Sequence, residues 1–148
     1  MSDYIVKIIP KNPDFYTSEQ NAQEIVNYLK SRIPAVSVIV TMHETPVFVD
    51  CGSNLEKISC PLCKAELDFD WWGEAMNKAY ENNFRDLSVE MSCCGGDSTL
   101  NDLVYDFPCG FSKITFELLN PQTEPDKDCL VHIENVLGSL IRTIHAHV

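Results

Sequence analysis

Four cysteines near the middle of this chain have the spacing of metal ligands. Cys60 and Cys63 form a Cys-x-x-Cys turn, and the adjacent pair Cys93 and Cys94 follows further along the chain. A turn of this kind directs two thiolates at one centre, and a second cysteine pair can complete the tetrahedral set of sulfur ligands that zinc prefers. The spacing therefore predicts one structural zinc ion, bound by Cys60, Cys63, Cys93 and Cys94.

The adjacent position of two of these cysteines leaves the ligand set open in one respect. Neighbouring residues can bind one metal only where the backbone bends, and Gly95 and Gly96, directly after the pair, allow such a bend. A different residue could replace one member of the pair, and the candidates are Cys51, Cys109 and Asp97. The alternative without a metal is a group of buried free thiols, since cysteine packs well as a small apolar side chain.

A catalytic role has less support in the sequence than a structural one. Catalytic zinc keeps one ligand position open for water, whereas four thiolates close the site, and neither a His-Glu-x-x-His pattern nor a nearby histidine accompanies the cysteines. Cys51 follows a predicted strand, where a nucleophile could be presented, but no histidine is tied to it by sequence. We interpret Cys51 as part of a turn, or as a spare ligand.

Composition limits the classes of partner and the compartment. The chain of 148 residues has 22 acidic and 11 basic side chains and a net charge of −11. Binding to nucleic acid or to an anionic membrane requires clustered lysine and arginine, so neither is expected, whereas a basic protein partner is compatible with the charge. Seven cysteines, with no recognisable signal peptide and no apolar membrane span, favour reduced thiols in the cytoplasm.

The elements that position these residues begin with a strand–helix–strand pattern at the N-terminal end. Residues 4–9 are apolar and rich in β-branched side chains, which predicts a strand. Thr17 has the spacing of a capping box, and the helix that follows should end at Ile33, before a proline. Residues 36–41 then alternate as a second strand, and a turn at residues 43–45 leads to a short further strand.

The C-terminal end repeats this pattern. Residues 113–118 alternate as a strand, Asp126 is a suitable helix cap, and Gly138 fits the end of that helix. Residues 140–148 form the last predicted strand. Both ends therefore predict a strand, a loop that contains proline, a helix and a strand.

Two such units give the βαββαβ order of a ferredoxin-like fold, in which two helices cover one face of a four-stranded antiparallel sheet. The predicted class is α+β, with residues 1–43 and 112–148 as the two halves of the sandwich. The connection between them, residues 44–111, is too long for a plain loop and is predicted to be an inserted zinc-binding subdomain.

Within the insert, a helix capped by Asp70 and a strand over residues 87–91 are expected to lie between the two cysteine pairs. Trp71 and Trp72 are predicted to be core of the insert, because no basic residues accompany them as they would at a base-stacking surface. Residues 97–102 lack the oxygen-ligand spacing of a calcium loop and are interpreted as a polar turn.

One face of the sheet is a second candidate site. If the helices cover the face of Val6, Val38 and Phe116, the alternation of side chains would place a polar group on the opposite face. That group is Lys7, Thr115, Glu117, His145 and His147. It is a candidate binding surface or second metal site, and the simpler interpretation is a solvated face or one covered by the insert or by another subunit.

Residues 60–94 resemble a zinc ribbon or a related zinc-knuckle module, with an adjacent cysteine pair in place of the second Cys-x-x-Cys. Several short motifs also look like those of small bacterial proteins of uncharacterised function. They are Phe48-Val49-Asp50-Cys51-Gly52, Cys60-Pro61-Leu62-Cys63, Trp71-Trp72, Cys93-Cys94-Gly95 and Phe107-Pro108-Cys109-Gly110-Phe111. This second resemblance covers nearly the whole chain and implies kinship without an activity.

The charge, the closed thiolate set and the missing catalytic constellation together predict a non-enzymatic, zinc-stabilised protein that acts through protein contacts, as an adaptor or an immunity-type protein does. Two alternatives stay open on the sequence. The first is a metal-dependent or thiol-dependent enzyme. The second is a metal-handling or redox-sensing protein, in which the Cys-x-x-Cys pair releases zinc on oxidation.

Overall fold

The computed structural model describes residues 3–148, so that the first two residues of the predicted N-terminal unit lie outside it. Over the described residues the chain forms three helices and eight strands. In chain order they are β1 (Tyr4–Pro10), α1 (Glu19–Arg32), β2 (Ser37–Val49), β3 (Ile58–Ser59), α2 (Phe69–Glu81), β4 (Ser88–Glu90), β5 (Asp97–Thr99), β6 (Val104–Tyr105), β7 (Gly110–Leu119), α3 (Lys127–Leu137) and β8 (Ile141–His147). None of the helices within residues 3–148 is long and apolar enough to cross a membrane.

The largest sheet joins both ends of the chain. Its four strands lie in the order β2-β7-β1-β8 and every neighbouring pair is antiparallel. Strand β1 and strand β7, the first strand of the C-terminal unit, are central, with Val6 opposite Leu118. The expectation that residues 4–9 and 114–118 form the middle of one continuous sheet is confirmed.

Helices α1 and α3 each connect two strands of this sheet in the sequence, and capping residues determine where they begin and end. In α3, the Asp126 carboxylate accepts the N–H of Cys129 at 2.8 Å, and Gly138 ends the helix with a left-handed φ of 82°. Both positions confirm the sequence prediction. In α1 the cap is Ser18, whose hydroxyl accepts the N–H of Asn21, and not the predicted Thr17.

One hydrophobic cluster lies between these helices and the sheet. The sheet contributes side chains such as Val6, Ile8 and Phe116, all of them fully buried. The helices contribute Ala22, Ile25, Val26 and Leu29 from α1, and Cys129, Ile133 and Leu137 from α3. The apolar stripes of both helices are therefore buried on the same face of the sheet.

A second hydrophobic cluster lies on the opposite face and joins the sheet to the chain between β2 and β7. Ile9 and Ile144 from the sheet belong to it. The intervening chain contributes Cys51, Ile58, Cys60, Leu67, Ala79, Met91, Leu100, Leu103, Tyr105 and Cys109. This segment therefore packs against the sheet, which has buried apolar side chains on both faces.

The sheet is longer than the sequence indicates. The predicted turn at residues 43–45 is wrong, because β2 runs without interruption to Val49 and only shifts its register against β7 between Met42 and Val47. A register shift absorbs extra residues in one strand without ending the pairing. Val49 lies opposite Gly110, so the chain leaves the sheet after Val49 and returns at Gly110. The division at residues 44–111 stays a prediction.

The short strands between β2 and β7 form two small sheets in the described part of the chain, β3 with β6 and β4 with β5. Residues 97–102 are not the predicted polar turn throughout, because Asp97–Thr99 is the strand that pairs with β4. The helix α2 begins at Phe69, two residues earlier than expected, because Asp68 and not Asp70 is its cap.

The predicted grouping of polar side chains on one sheet face is wrong for the two histidines. His145 lies directly opposite Val6, whereas Lys7 lies opposite Ile144. Directly opposite residues of antiparallel strands project to the same face, so His145 and His147 are on the helix side and Lys7 is on the other. The alternation within each strand was sound, but the register between the strands could not be obtained from it.

Candidate metal centre

The four predicted cysteines come together at one point. The sulfur atoms of Cys60, Cys63, Cys93 and Cys94 all lie within 4.8 Å of one another, and no other group of three or more potential ligands meets this condition among residues 3–148. The Sγ atoms of Cys63 and Cys93 are 3.3 Å apart, and those of Cys60 and Cys94 are 4.0 Å apart. The four thiols are thus close enough to hold a metal ion.

The first pair lies in a tight turn directly after β3. The backbone N–H groups of Leu62 and Cys63 donate to the Sγ of Cys60 at 3.4 and 3.5 Å. The Cys60 carbonyl accepts the N–H of Lys64, which has a left-handed φ of 68°. The turn thereby directs its own N–H groups at a sulfur atom, which stabilises negative charge on that sulfur.

The second pair lies in the turn of the hairpin formed by β4 and β5. Met91 and Gly96 are joined by a backbone hydrogen bond of 2.8 Å, and the N–H of Gly95 donates to the Met91 carbonyl. Gly95 has a φ of 72°, which a residue with a side chain rarely adopts. This left-handed residue is the bend that two adjacent cysteine ligands require.

The two turns are packed closely against each other. A Cβ atom added at Gly96 would lie 2.5 Å from Cδ1 of Leu62 in the facing turn and 3.5 Å from the Sγ of Cys94. Gly96 therefore allows the turns to approach until the sulfurs converge. The close approach fits a small ion shared between the turns.

The proton affinities of the thiols differ across the cluster. Burial acts to raise the pKa of Cys60, but the N–H groups of Cys63 and Leu62 lower this pKa to about 7. The pKa of Cys93 is raised to about 12, because its thiol interacts with the sulfur of Cys63 and loses solvent. A metal requires thiolates, so its binding must displace a proton from Cys93.

The donor set indicates which ions fit. Four sulfur ligands from two turns suit a tetrahedral ion such as zinc, or iron in a sulfur site, and do not suit the oxygen-preferring calcium or magnesium. Cys60 is buried, whereas Cys63, Cys93 and Cys94 are exposed. The centre therefore lies at the surface, with one ligand anchored in the second hydrophobic cluster.

The alternative ligands suggested by the sequence lie elsewhere. Cys51 and Cys109 are both buried and form a separate pair, with their sulfurs 3.3 Å apart. Burial and the neighbouring Cys51 thiol raise the pKa of Cys109, which keeps this thiol protonated. Asp97 pairs with Glu90 in the hairpin and is not in the cluster. The Cys51–Cys109 pair was missed, although the two residues flank strands that pair with each other.

The polar residues of the sheet do not converge on one site. Lys7 is nearly buried and its Nζ lies 3.1 Å from Oδ1 of Asp50. His145 instead contacts the Tyr4 hydroxyl, which donates to Glu124 at 2.6 Å, and burial and Glu124 raise the pKa of Tyr4. These contacts involve opposite faces of the sheet and provide no common ligand centre.

The aromatic pair at residues 71–72 contributes to packing, as predicted. Trp72 contacts Phe48 and Tyr105 edge-on, and its indole N–H donates to the Tyr105 hydroxyl at 3.3 Å. Trp71 packs at the margin of the second hydrophobic cluster. Both side chains hold α2 against the rest of the molecule.

Comparisons with protein-family models, with curated proteins and with solved structures found no match to this chain. The resemblance to zinc-ribbon or zinc-knuckle modules, and to small bacterial proteins, stays a prediction.

Proposed function

We propose that this chain is a non-enzymatic protein, stabilised by one zinc ion and acting through protein contacts as an adaptor or an immunity-type module. The observation that carries the proposal is the convergence of four sulfur atoms within 4.8 Å from two separate turns. A set made only of thiolates fills a tetrahedral shell and leaves no position for a reacting water. Zinc would supply cross-linking of the two turns, and Cys60, Cys63, Cys93 and Cys94 would hold it.

We propose further that the architecture is the ferredoxin-like sandwich with an inserted zinc-binding subdomain. The strand order β2-β7-β1-β8, with α1 and α3 buried on one face, supports the first part. The chain between β2 and β7 forms two small sheets and α2 of its own, and it carries all four cysteines, which supports the second. Because a short segment of this kind has a limited core, a bound metal offsets much of the cost of ordering it.

The partner we propose is a basic protein. The net charge of −11 disfavours nucleic acid and anionic membranes and attracts positively charged surfaces. The reduced thiols that the centre needs are maintained in the cytoplasm, which is the compartment we propose.

Two measurements test this function. Element analysis of the full chain, purified without acid or chelator, should find about one zinc per chain and no stoichiometric iron. Selection of random peptides on the zinc-loaded chain should enrich lysine and arginine, with affinities that fall as salt rises. Metal-free protein that is folded, or a selection that enriches acidic or uncharged peptides, would contradict the proposal.

A redox-sensing role is a second candidate, favoured by the exposure of three ligands and by the 3.3 Å separation of the Cys63 and Cys93 sulfurs. A peroxide would oxidise one thiol to a sulfenic acid, and the second thiol would displace water from it. Two thiols and one hydrogen peroxide thereby give one disulfide and two waters, with release of the metal. Stoichiometric zinc release by micromolar peroxide, reversed by a dithiol, would support this role, and retention of zinc would refute it.

A further inference from the structure

A groove lies between helix α2 and strand β4, the strand that leads into the turn with Cys93 and Cys94. It encloses about 320 Å³, a size at the lower end of the range of ligand sites. The helix lines it with one face, formed by Trp71, Glu74, Ala75, Lys78, Ala79 and Asn82. Asp86, Ser88, Val89 and Glu90 line the other side. The groove thus runs along a strand and is closed on one side by a helix.

The side of β4 that borders the groove carries unpaired backbone groups. Leu87 accepts the N–H of Leu100, and Met91 donates to Gly96, so alternate residues from Leu87 to Met91 bond towards β5. The backbone groups of Ser88 and Glu90 therefore point away from β5. The N–H of Ser88 is taken by the Asp86 carboxylate. Among residues 3–148, β4 pairs with β5 and with no second strand, and no bond from a turn or loop reaches the Ser88 carbonyl or either backbone group of Glu90.

An open strand edge of this kind is a template for pairing with another strand. β4 has three residues, which span about 10 Å at the rise of an extended chain. A guest strand would therefore pair over about three residues. The floor of the groove is apolar and can accept one side chain of the guest strand. It is formed by Ala75, Ala79 and Val89.

The negative charge of the groove favours a guest strand with basic side chains. Glu74, Asp86 and Glu90 line it and are exposed, against one exposed cation, Lys78. The hydrogen bond from the Ser88 N–H, together with Lys78, lowers the pKa of Asp86 and keeps it ionised at neutral pH. The excess negative charge agrees in sign with the net charge of the chain.

We propose that this groove binds a short, extended, basic segment of a partner protein, which adds to β4 as a further strand. This inference rests on the proposed binding function and assigns it to one site. Backbone hydrogen bonds to Ser88 and Glu90 supply affinity, and basic side chains beside Glu74 and Glu90 supply specificity. β4 continues into the turn that carries Cys93 and Cys94, so the metal centre orders the edge on which the guest binds.

The first experiment varies the guest. The probe is a fluorescent, terminally blocked hexapeptide of alternating arginine and valine, titrated against the zinc-loaded chain by fluorescence polarisation. One comparison peptide replaces arginine with glutamate, and another carries N-methyl groups on alternate amides, which removes backbone donors and keeps the charge. We expect both changes to weaken binding about tenfold or more, as expected for a strand-addition site.

The second experiment varies the groove. The double variant Glu74→Lys/Glu90→Lys should weaken binding of the arginine–valine peptide about tenfold, since each exposed charge contact contributes modestly. The matched control, Glu24→Lys/Glu44→Lys, has the same change in net charge at exposed positions of α1 and β2 and should bind almost as the parent does. Glu90→Pro removes an outward N–H that β5 does not use and should bind more weakly than Glu90→Gln.

The outcomes separate the groove from the broader proposal. A peptide that binds in a charge-dependent way, but equally to the groove variant and its control, would leave the basic partner in place and overturn the groove. Equal binding of the N-methylated peptide would overturn strand addition. If no basic peptide binds at all, including those from the random selection, the proposed function itself is contradicted. Removal of zinc by a chelator should weaken binding by the parent, and unchanged binding would show that the edge does not depend on the centre.

Discussion

At the scale of single residues, the location of each cysteine determines whether its thiol can bind a metal. Four of the seven converge in facing turns, two form a buried pair between strand ends, and Cys129 packs between α3 and the sheet. Cys51, Cys109 and Cys129 are buried and belong to no group of three or more potential ligands among residues 3–148. Only the cluster of four is suited to binding a metal.

Single serine substitutions test this separation. Replacement of Cys60, Cys63, Cys93 or Cys94 should reduce zinc from about one per chain to a small fraction, because serine is a poor ligand. Cys51→Ser and Cys109→Ser serve as matched controls and should retain zinc, although their buried hydroxyls lower stability. Element analysis checks both groups, and zinc loss from Cys51→Ser comparable to that from Cys63→Ser would show a wrongly assigned ligand set.

The sequence predicted the four converging cysteines because a Cys-x-x-Cys turn and a glycine bend are local features. It did not predict the Cys51–Cys109 pair, which depends on how β2 and β7 come into register. It placed His145 on the wrong face for the same reason, since pairing with Val6 is a property of two strands together. The fold pattern predicted that β1 and β7 are central in one sheet, but contacts that depend on the register between strands could not be predicted.

At the scale of elements, both ends of α3 followed from capping chemistry, whereas the predicted N-caps of α1 and α2 were wrong. Among the short strands, only β4 followed from a local pattern, the alternation over residues 87–91. Strands β3 and β6 have two residues each, and β4 and β5 have three. Strands β3, β5 and β6 carry too little alternation to be recognised and exist because other parts of the chain hold them. The ends of α3, in contrast, depend on Asp126 and Gly138 alone.

The cap of α3 offers a test at this scale. Asp126→Ala should lower the free energy of unfolding at neutral pH, because the N–H of Cys129 loses its acceptor. Asp128→Ala, in the first turn but not at the cap, is the control and should have a smaller effect. Denaturant unfolding of the three proteins provides the comparison.

The effect of Asp126→Ala should depend on pH. The hydrogen bond from Cys129, helped by Arg32, lowers the pKa of Asp126 in the folded state. A carboxylate with a lowered folded pKa contributes its stability above its unfolded pKa, about 3.9, and loses it as pH falls through the folded value. The difference between the parent and Asp126→Ala should therefore shrink below about pH 4. A difference that grows on acidification would exclude an ionised cap.

At the scale of the whole molecule, a small polar junction connects the segment around the cysteine centre to the sheet. The buried Asn101 accepts the N–H of Phe111 at 3.1 Å and donates to the Lys11 carbonyl at 3.1 Å. Arg142 donates to the carbonyl of Asn101 at 3.2 Å and to that of Cys109 at 2.7 Å. The junction satisfies backbone groups at the place where the chain re-enters the sheet, and so fixes how the two parts meet.

Asn101→Ala should therefore destabilise the protein by about 1–3 kcal/mol, because the N–H of Phe111 and the carbonyl of Lys11 lose their partner. Asn77→Ala is the control, at an exposed position of α2, and should leave stability unchanged or slightly raise it. Thermal unfolding of zinc-loaded protein measures both. Equal stabilities of the two variants would show that the junction contributes nothing to the fold.

The two hydrophobic clusters predict how the molecule responds when the proposed metal is lost. The cluster under α1 and α3 contains no residue of the chain between β2 and β7, whereas the cluster on the other face is built largely from it. Cys63→Ser should therefore loosen the segment around the centre more than the central strands. Hydrogen exchange reports such local opening region by region.

In Cys63→Ser, amide protection should fall across residues 58–95 and persist at residues 5–8 and 114–118, whose side chains include Val6, Ile8 and Phe116 of the helix-side cluster. Ser92→Ala, an exposed change beside the ligands, is the control and should exchange as the parent does. Equal loss of protection in both regions would mean that the sheet depends on the metal centre, because the shared face of Ile9 and Ile144 transmits the disorder. Unchanged protection everywhere would mean that Cys63 does not bind the metal.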